Sequence, residues 1–295
     1  MTRIAFLGLG HMGLPMAKNL IAAGHEVRGF DLMDAAVEAA QAAGIPVAEF
    51  GIDAVSGAEV VITMFPAGKH VIQAYQDGLL AAAEPGTLFI ESSTIAVEEA
   101  RTAHALAVEA GHRSIDAPVS GGVVGAENGT LAFMVGGSDD DFAAALPLLE
   151  AMGKRIVHCG GPGLGQAAKV CNNMILAVSQ IAVAEAFVLG ERLGLEHQAL
   201  FDVVSQASGQ CWSMTTNCPV PGPVPTSPAN RDYQPGFAGA LMAKDLGLAL
   251  QAIEQTSTDA QMGRLAQQLY AAYAAGDGGG RDFSGIITDI REGRV

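Results

Sequence analysis

The stretch that decides the fold is residues 3–31, RIAFLGLGHMGLPMAKNLIAAGHEVRGFD. RIAFLGL is a short apolar run ending in glycine, the pattern of a strand buried on both faces of a parallel sheet. HMGLPMAKNLIAAG follows as a helix closed by Gly24, and EVRGF is a second strand. Between the first strand and the helix, GLGHMG places Gly8, Gly10 and Gly13 in a GxGxxG spacing, with His11 and Met12 completing the loop. The spacing alone is weak; a strand before it and a helix after it make the context that a dinucleotide fingerprint needs. Gly8 permits the tight turn, Gly10 lets backbone approach a pyrophosphate, and Gly13 lets helix and strand close together. The helix N-terminus then faces the phosphates. Asp31 follows the second strand, where a carboxylate can bind an adenosine ribose 2′-hydroxyl. No arginine or lysine lies between Asp31 and Lys69, so a 2′-phosphate would meet a negative charge and no local basic partner. The expected cofactor is NAD rather than NADP.

The alternation continues outward. DAAVEAAQAAG and VEEARTAHALAVEAG read as helices, and so does DDDFAAALPLLEAMG with its acidic first turn. AEVVITMF, TLFIESST, RSIDAPV, TLAFMVGG and RIVHCG read as strands. Strands alternating with such helices predict a Rossmann-type α/β fold, a doubly wound and mostly parallel sheet. After residue 162 no convincing strand appears; VCNNMILAVSQIAVAEAFVLGERLG and the segments beyond it carry helical spacing. We therefore expect residues 1–162 to form a nucleotide-binding domain and 163–295 an all-α domain opening with a long interdomain helix. The proline-rich segment 217–236 reads as an ordered loop, because helices resume at once after it and Trp212 precedes it.

Bulk properties exclude several classes. At 49% hydrophobic and 16% charged the chain is globular, not disordered. Its net charge of −15 argues against nucleic acid or an anionic membrane as partner. MTRIAFLGLG lacks the basic n-region and long apolar run of a signal peptide, and polar residues interrupt the helix after Lys169, so no membrane span is read. The expectation is a cytoplasmic protein. Four cysteines without a CxxC pair and seven scattered histidines give no metal motif. Core packing is the expected place for Cys171.

The candidate chemistry sits at strand ends. Phe65 and Pro66 close ITMFP, and Thr94 closes ESST; these are candidate walls for the cofactor, with a helix N-cap role also open for Thr94. DAPVSGG offers the Ser120 hydroxyl and the backbone N–H groups of Gly121 and Gly122, a nest suited to a carboxylate. Lys169 is the only charged residue in the first half of the apolar helix, over residues 164–184, and Asn173 lies four residues on, on the same face. Such a lysine either snorkels at the surface or works. Burial and a neighbouring positive charge both favour the neutral amine of a lysine, which can then exchange a proton with a substrate hydroxyl. AKDLGLAL adds Lys244 and Asp245, for which a surface ion pair is the alternative reading.

Taken together, GLGHMGLPMA, DAPVSGG, GxGQxxKxxNN and MAKDLGLA resemble the β-hydroxyacid dehydrogenases, in the right order and nearly end to end. Within that family SGQCWS, NCPVPG and YQPGF resemble the branch that oxidises 3-hydroxyisobutyrate to methylmalonate semialdehyde in valine breakdown. The resemblance implies Lys169 as the catalytic residue with Asn173 beside it. It implies Ser120, Gly121 and Gly122 at the substrate carboxylate, Trp212 near the substrate and Lys244 at the nicotinamide end of NAD. It also implies a metal-independent enzyme, a small hydroxy-acid substrate, and a homodimer or homotetramer formed through the helical domain. Alternatives are a sister enzyme reducing tartronate semialdehyde, glyoxylate or succinic semialdehyde, and a non-catalytic cofactor-binding relative.

Overall fold

The structure, a computed structural model, describes all residues 1–295. It divides into two compact units, Met1–Lys169 and Val170–Val295. The strand–helix alternation ends near residue 162, but the first turn of the following helix is packed with the sheet, so the units part inside that helix.

The first unit is built on eight strands: β1 (Arg3–Leu7), β2 (Glu26–Phe30), β3 (Val60–Thr63), β4 (Leu88–Glu91), β5 (Arg113–Asp116), β6 (Val119–Ser120), β7 (Leu131–Gly136) and β8 (Gly153–Gly160). Their order is β2-β1-β3-β4-β5-β7-β6, with β8 beside β7. The first five run parallel. β7 is antiparallel to β5 and β6, and β8 parallel to β7. RSIDAPV, read as one strand, is two: Pro118 has no N–H to continue the ladder, and the chain breaks there into β5 and the two-residue β6. The sequence between β3 and β4 carries no pattern that predicts an element. That crossover is helical, from Gly68–Ala74 through Tyr75–Leu79 to Leu80–Ala82, with Gly78 at φ 121° interrupting it.

Every residue of β1 after Arg3 is buried because the sheet is covered on both faces. Ile4, Phe6, Ile62, Ile90 and Phe133 pack on one side. Ala5, Leu7, Val61, Phe89 and Tyr75 pack on the other. The register lines up the carboxyl ends: Leu7 stands opposite Phe30 and Thr63, Thr63 opposite Glu91, and Glu91 opposite Asp116. The chain turns back on itself between β1 and β3, the switch point at which such sheets bind ligands.

The second unit is helical. It holds most of Leu164–Arg192, then His197–Val204, Trp212–Thr215, Gly239–Gln255, Gln261–Ala275 and Ile286–Glu292. Its core gathers Ala177, Ala184, Phe187, Met242, Leu246, Tyr270 and Phe283. By length and composition Leu164–Arg192 is apolar enough to cross a membrane, a test its polar interruptions did not suggest. Half of its most apolar window is buried within the fold, as in the core helix of a globular protein. The proline-rich segment is ordered. Cys218, Val220 and Tyr233 join the core, the Tyr233 hydroxyl donates to the Pro219 carbonyl at 2.8 Å, and the Asp282 carboxylate accepts N–H groups from Asn217, Gly236 and Phe237.

Candidate active site

The glycine loop is shaped by two kinds of constraint. A Cβ on Gly8 (φ +96°) would lie 2.3 Å from the Met64 carbonyl oxygen, and one on Gly13 would lie 1.8 Å from the Gly8 carbonyl oxygen. Both positions need glycine for the protein's own packing. A Cβ on Gly10 would meet nothing within 4 Å. Gly10 and His11 are exposed, and the helix Gly13–Ala22 starts with Met12 at its N-cap and no side-chain cap. Bare backbone at an uncapped helix N-terminus fits a dinucleotide pyrophosphate. Asp31 stands beside this loop and braces it: its carboxylate accepts the Leu9 N–H at 2.7 Å and the Met33 N–H at 2.8 Å. No sequence pattern signals that bracing.

Phe65 is half-buried and Pro66 exposed at the end of β3. The Phe65 N–H donates to the Ser93 hydroxyl at 2.7 Å, which joins this end to the loop after β4. Thr94, half-buried, is in that loop. It is not a helix N-cap: the helix is Val97–Glu109, Ala96 caps it, and Glu99 accepts the Ala96 N–H at 2.9 Å.

The start of the long helix is fastened to the same carboxyl edge. The Asp116 carboxylate accepts the Gly163 N–H at 2.7 Å and the Gln166 N–H at 2.8 Å, satisfying donors that a first helical turn leaves open. A Cβ on Gly165 would lie 2.3 Å from the Met134 carbonyl oxygen, so only glycine lets the helix sit this close to the sheet. The Gln166 carboxamide enters the loop after β4, donating to the Ser93 carbonyl at 2.7 Å and accepting the Ile95 N–H at 3.2 Å. Glu91 lies beneath it, accepting the Ser93 N–H at 2.8 Å. Burial pushes the Glu91 carboxyl up to about 8, so it is largely protonated at neutral pH. Burial also raises Asp116, against the pull of the N–H groups of Gln166 and Gly163. Lys169 follows one turn after Gln166 and is only 6% exposed, which removes the snorkelling reading.

Ser120, Gly121 and Gly122 end β6 and open the short helix Gly122–Glu127, with Gly121 exposed at φ 133°. In the second unit Asn173 is buried on the long helix; its Nδ2 donates to Asp245 Oδ2 at 2.5 Å, and its Oδ1 accepts from Asn172 at 3.0 Å. The surface-pair reading of Lys244 and Asp245 fails, since Asp245 is buried and Lys244 half-buried on Gly239–Gln255. Trp212 is half-exposed at the start of its one-turn helix. Cys171 is exposed, not in the core, because two residues of helix turn it away from the buried Lys169 face. No group of three or more His, Cys, Asp or Glu side chains is placed to hold a metal ion.

Glu91, Asp116 and Gln166 are not legible in the sequence as parts of this edge, and neither is the bond from Asn173 to Asp245. All four lie inside the motifs ESST, DAPVSGG, GxGQxxKxxNN and MAKDLGLA, which is the one signal that marked them.

Residues 3–161 match the family described as the NAD binding domain of 6-phosphogluconate dehydrogenase. Residues 163–290 match that described as NAD-binding of NADP-dependent 3-hydroxyisobutyrate dehydrogenase. A solved structure of Mycobacterium tuberculosis 3-hydroxyisobutyrate dehydrogenase with L-serine is 58% identical, covers 99% of each chain and superposes with a TM-score of 0.96. The chain belongs to the β-hydroxyacid dehydrogenase family. Other relatives of this family member come from Pseudomonas aeruginosa. One is named NAD-dependent L-serine dehydrogenase, 50% identical over 96% of both chains. Another is named 3-hydroxyisobutyrate dehydrogenase, 47% identical over 97% of both. As a β-hydroxyacid dehydrogenase the chain is an NAD-dependent oxidoreductase acting on a small molecule.

Proposed function

We propose that this chain is an NAD-dependent 3-hydroxyisobutyrate dehydrogenase of valine breakdown, with Lys169 as its general acid and base. The observation that carries the reading is Lys169 itself, buried one turn beyond a helix start that Asp116 and Gln166 fasten to the nucleotide-binding edge. The names of the relatives at 58% and 47% identity support the substrate.

Bound NAD supplies the hydride acceptor. Lys169 Nζ takes the proton of the substrate hydroxyl as the carbinol carbon gives up its hydride, and the C–O bond becomes a carbonyl. In reduction the same nitrogen returns the proton. Such a positioned group contributes roughly 10²–10⁴-fold. Asn173, oriented by Asp245, holds the substrate oxygen. The Ser120 hydroxyl and the N–H groups of Gly121 and Gly122 take the substrate carboxylate. We keep Trp212 as the candidate for the substrate's apolar side, and Gly8, Gly10, His11, Met12, Gly13, Asp31, Phe65, Pro66, Thr94 and Lys244 for the cofactor. Exposed apolar side chains on the helices, Ile175, Leu189 and Met262, support a homo-oligomer.

L-serine is the second reading, favoured by the relative named for it and by the M. tuberculosis structure titled with it. It too is a 3-hydroxy acid, differing at C2 by an ammonium in place of a methyl. The test is NADH formation over (S)-3-hydroxyisobutyrate, L-serine, 3-hydroxypropionate, D-glycerate and lactate. We expect 3-hydroxyisobutyrate to give the highest kcat/KM. Lactate should fall about 10²-fold or more below it, because its carbinol sits one bond short of the anchor spacing, an error on the order of 1 Å. A higher kcat/KM for L-serine transfers the assignment to serine. NAD should exceed NADP, and Asp31→Asn should narrow the gap; a wild-type preference for NADP would overturn the Asp31 reading.

A further inference from the structure

We propose that Gln166 is a positioning residue. Its carboxamide locks the loop that carries Thr94 to the helix turn that carries Lys169, and so fixes the lysine amine at the place of proton transfer. The inference rests on the reading of Lys169 as the acid and base.

Gln166 is fully buried and held at both ends. Its backbone N–H goes to Asp116 Oδ2 at 2.8 Å. Its side chain reaches the two backbone groups that bracket Thr94: Nε2 donates to the Ser93 carbonyl at 2.7 Å, and Oε1 accepts the Ile95 N–H at 3.2 Å. A third contact, Nε2 to Glu91 Oε2 at 3.5 Å, is long. The orientation is forced, since a backbone carbonyl can only accept and a backbone N–H can only donate. A carboxamide offers a donor and an acceptor on separate atoms of one planar tip, and it does so at every pH. A residue needed only to fill the space could be methionine. Lys169 is three residues further on, nearly one turn, so a shift of residue 166 is passed to it through a rigid helical segment.

The chemistry of the contact supplies a test that a merely structural role would not pass. In Gln166→Glu a protonated carboxyl reproduces the native pattern: its carbonyl oxygen accepts from Ile95 and its O–H donates to Ser93. The ionised form has no donor for the Ser93 carbonyl and faces Glu91. Burial raises the pKa of such a carboxyl towards the working range. The experiment measures kcat against pH for wild type, Gln166→Glu, Gln166→Met and Lys169→Ala, with NAD affinity by titration and thermal unfolding for each.

We expect the ratio of Gln166→Glu kcat to wild-type kcat to fall through one titration step as pH rises. Gln166→Met should be low at every pH, by about 10²-fold, the cost of misplacement on the order of 1 Å. NAD affinity should fall by a much smaller factor than kcat in both, because the same loop also carries Thr94, assigned to the cofactor. A ratio for Gln166→Glu that is flat with pH overturns the proposal, as does a loss in Gln166→Met confined to KM or to NAD affinity. If the methionine variant does not fold, the pH dependence of Gln166→Glu decides alone. Lys169→Ala separates the two readings. If it keeps more than about a tenth of wild-type kcat, against the general acid–base range, the Lys169 assignment falls and the positioning proposal with it. If it is inactive while Gln166→Met keeps wild-type kcat, only the positioning proposal falls.

Discussion

Two helices begin at the carboxyl edge of one sheet, Gly13–Ala22 and Leu164–Arg192, and their first turns are completed in opposite ways. A helix N-terminus carries open N–H groups and attracts negative charge. At the first helix no side chain caps the end, and the space beside Gly10 is open. At the second the protein provides its own acceptor, the Asp116 carboxyl group, on the N–H groups of Gly163 and Gln166. The difference separates a place that binds from a place that holds. An uncapped end can accept a phosphate from outside, and a capped end becomes a fixed mount for what the helix carries next, here Lys169.

The largest effect should come from dismantling the mount. Asp116→Ala leaves two buried N–H groups without an acceptor, at roughly 1–3 kcal/mol for each unsatisfied group. Urea unfolding should show a loss of about 3 kcal/mol, and kcat should fall with it. Asp116→Asn, which keeps one carbonyl acceptor, should lose less. A stability change below about 1 kcal/mol with kcat unchanged would mean that the second helix end is no more dependent on its cap than the first, against the usual cost of unsatisfied groups.

The glycine loop sharpens the contrast from the other side. In Gly13→Ala the new Cβ collides with the Gly8 carbonyl, so the fold should weaken by about 1–3 kcal/mol or more. In Gly10→Ala nothing is struck, and stability should hold or rise by roughly 0.4–1 kcal/mol. NAD affinity should fall instead, because the methyl fills the space the pyrophosphate needs. Thermal unfolding and NAD titration on the two variants give this crossed pattern. Wild-type NAD affinity in Gly10→Ala would show that backbone approach at Gly10 is not part of binding.

These two helix ends also mark the limit of what the sequence discloses. The loop was legible because its logic is local: strand, glycines and helix lie within one stretch, and Gly10 stands out against Gly8 and Gly13 only by spacing. Lys169 and Asn173 stand out for the same reason, as neighbours on one helix face, and the structure buries both. The mount was not, because its bonds run from residue 116 to 163 and 166, and from 166 back to 93 and 95. Hydrophobic periodicity carries no record of which distant carboxylate caps a helix. The same holds for Asp282, which gathers Asn217, Gly236 and Phe237 and turns a proline-rich segment into part of a core. The antiparallel entry of β7 likewise depends on a pairing with β5 and β6, not on its own alternation.

The last expected effect is one of slope with pH and concerns the neighbour of the cap. Glu91 and Asp116 stand opposite each other in register at the ends of β4 and β5, and both are buried. Asp116 has two backbone N–H groups at 2.8 Å or less; Glu91 has the Ser93 N–H, with the Thr63 hydroxyl at 3.4 Å. Burial therefore dominates at Glu91 and moves its pKa from 4.5 to about 8. Between those values the folded protein keeps a proton that the unfolded chain has released. Stability must then fall as pH rises across that interval, and the decline from this group ends above about 8. Glu91→Gln removes the titration and keeps a carbonyl to accept from Ser93. Asp116 is also raised and stays in place, so the informative quantity is the difference between the variant and wild-type stability curves. That difference should move in favour of Glu91→Gln steadily from pH 5 to pH 8, whatever its starting value. A flat difference would mean that Glu91 ionises in the fold as readily as in the unfolded chain. The edge would then carry a buried charge at Glu91, and burial would not dominate there over the Ser93 N–H.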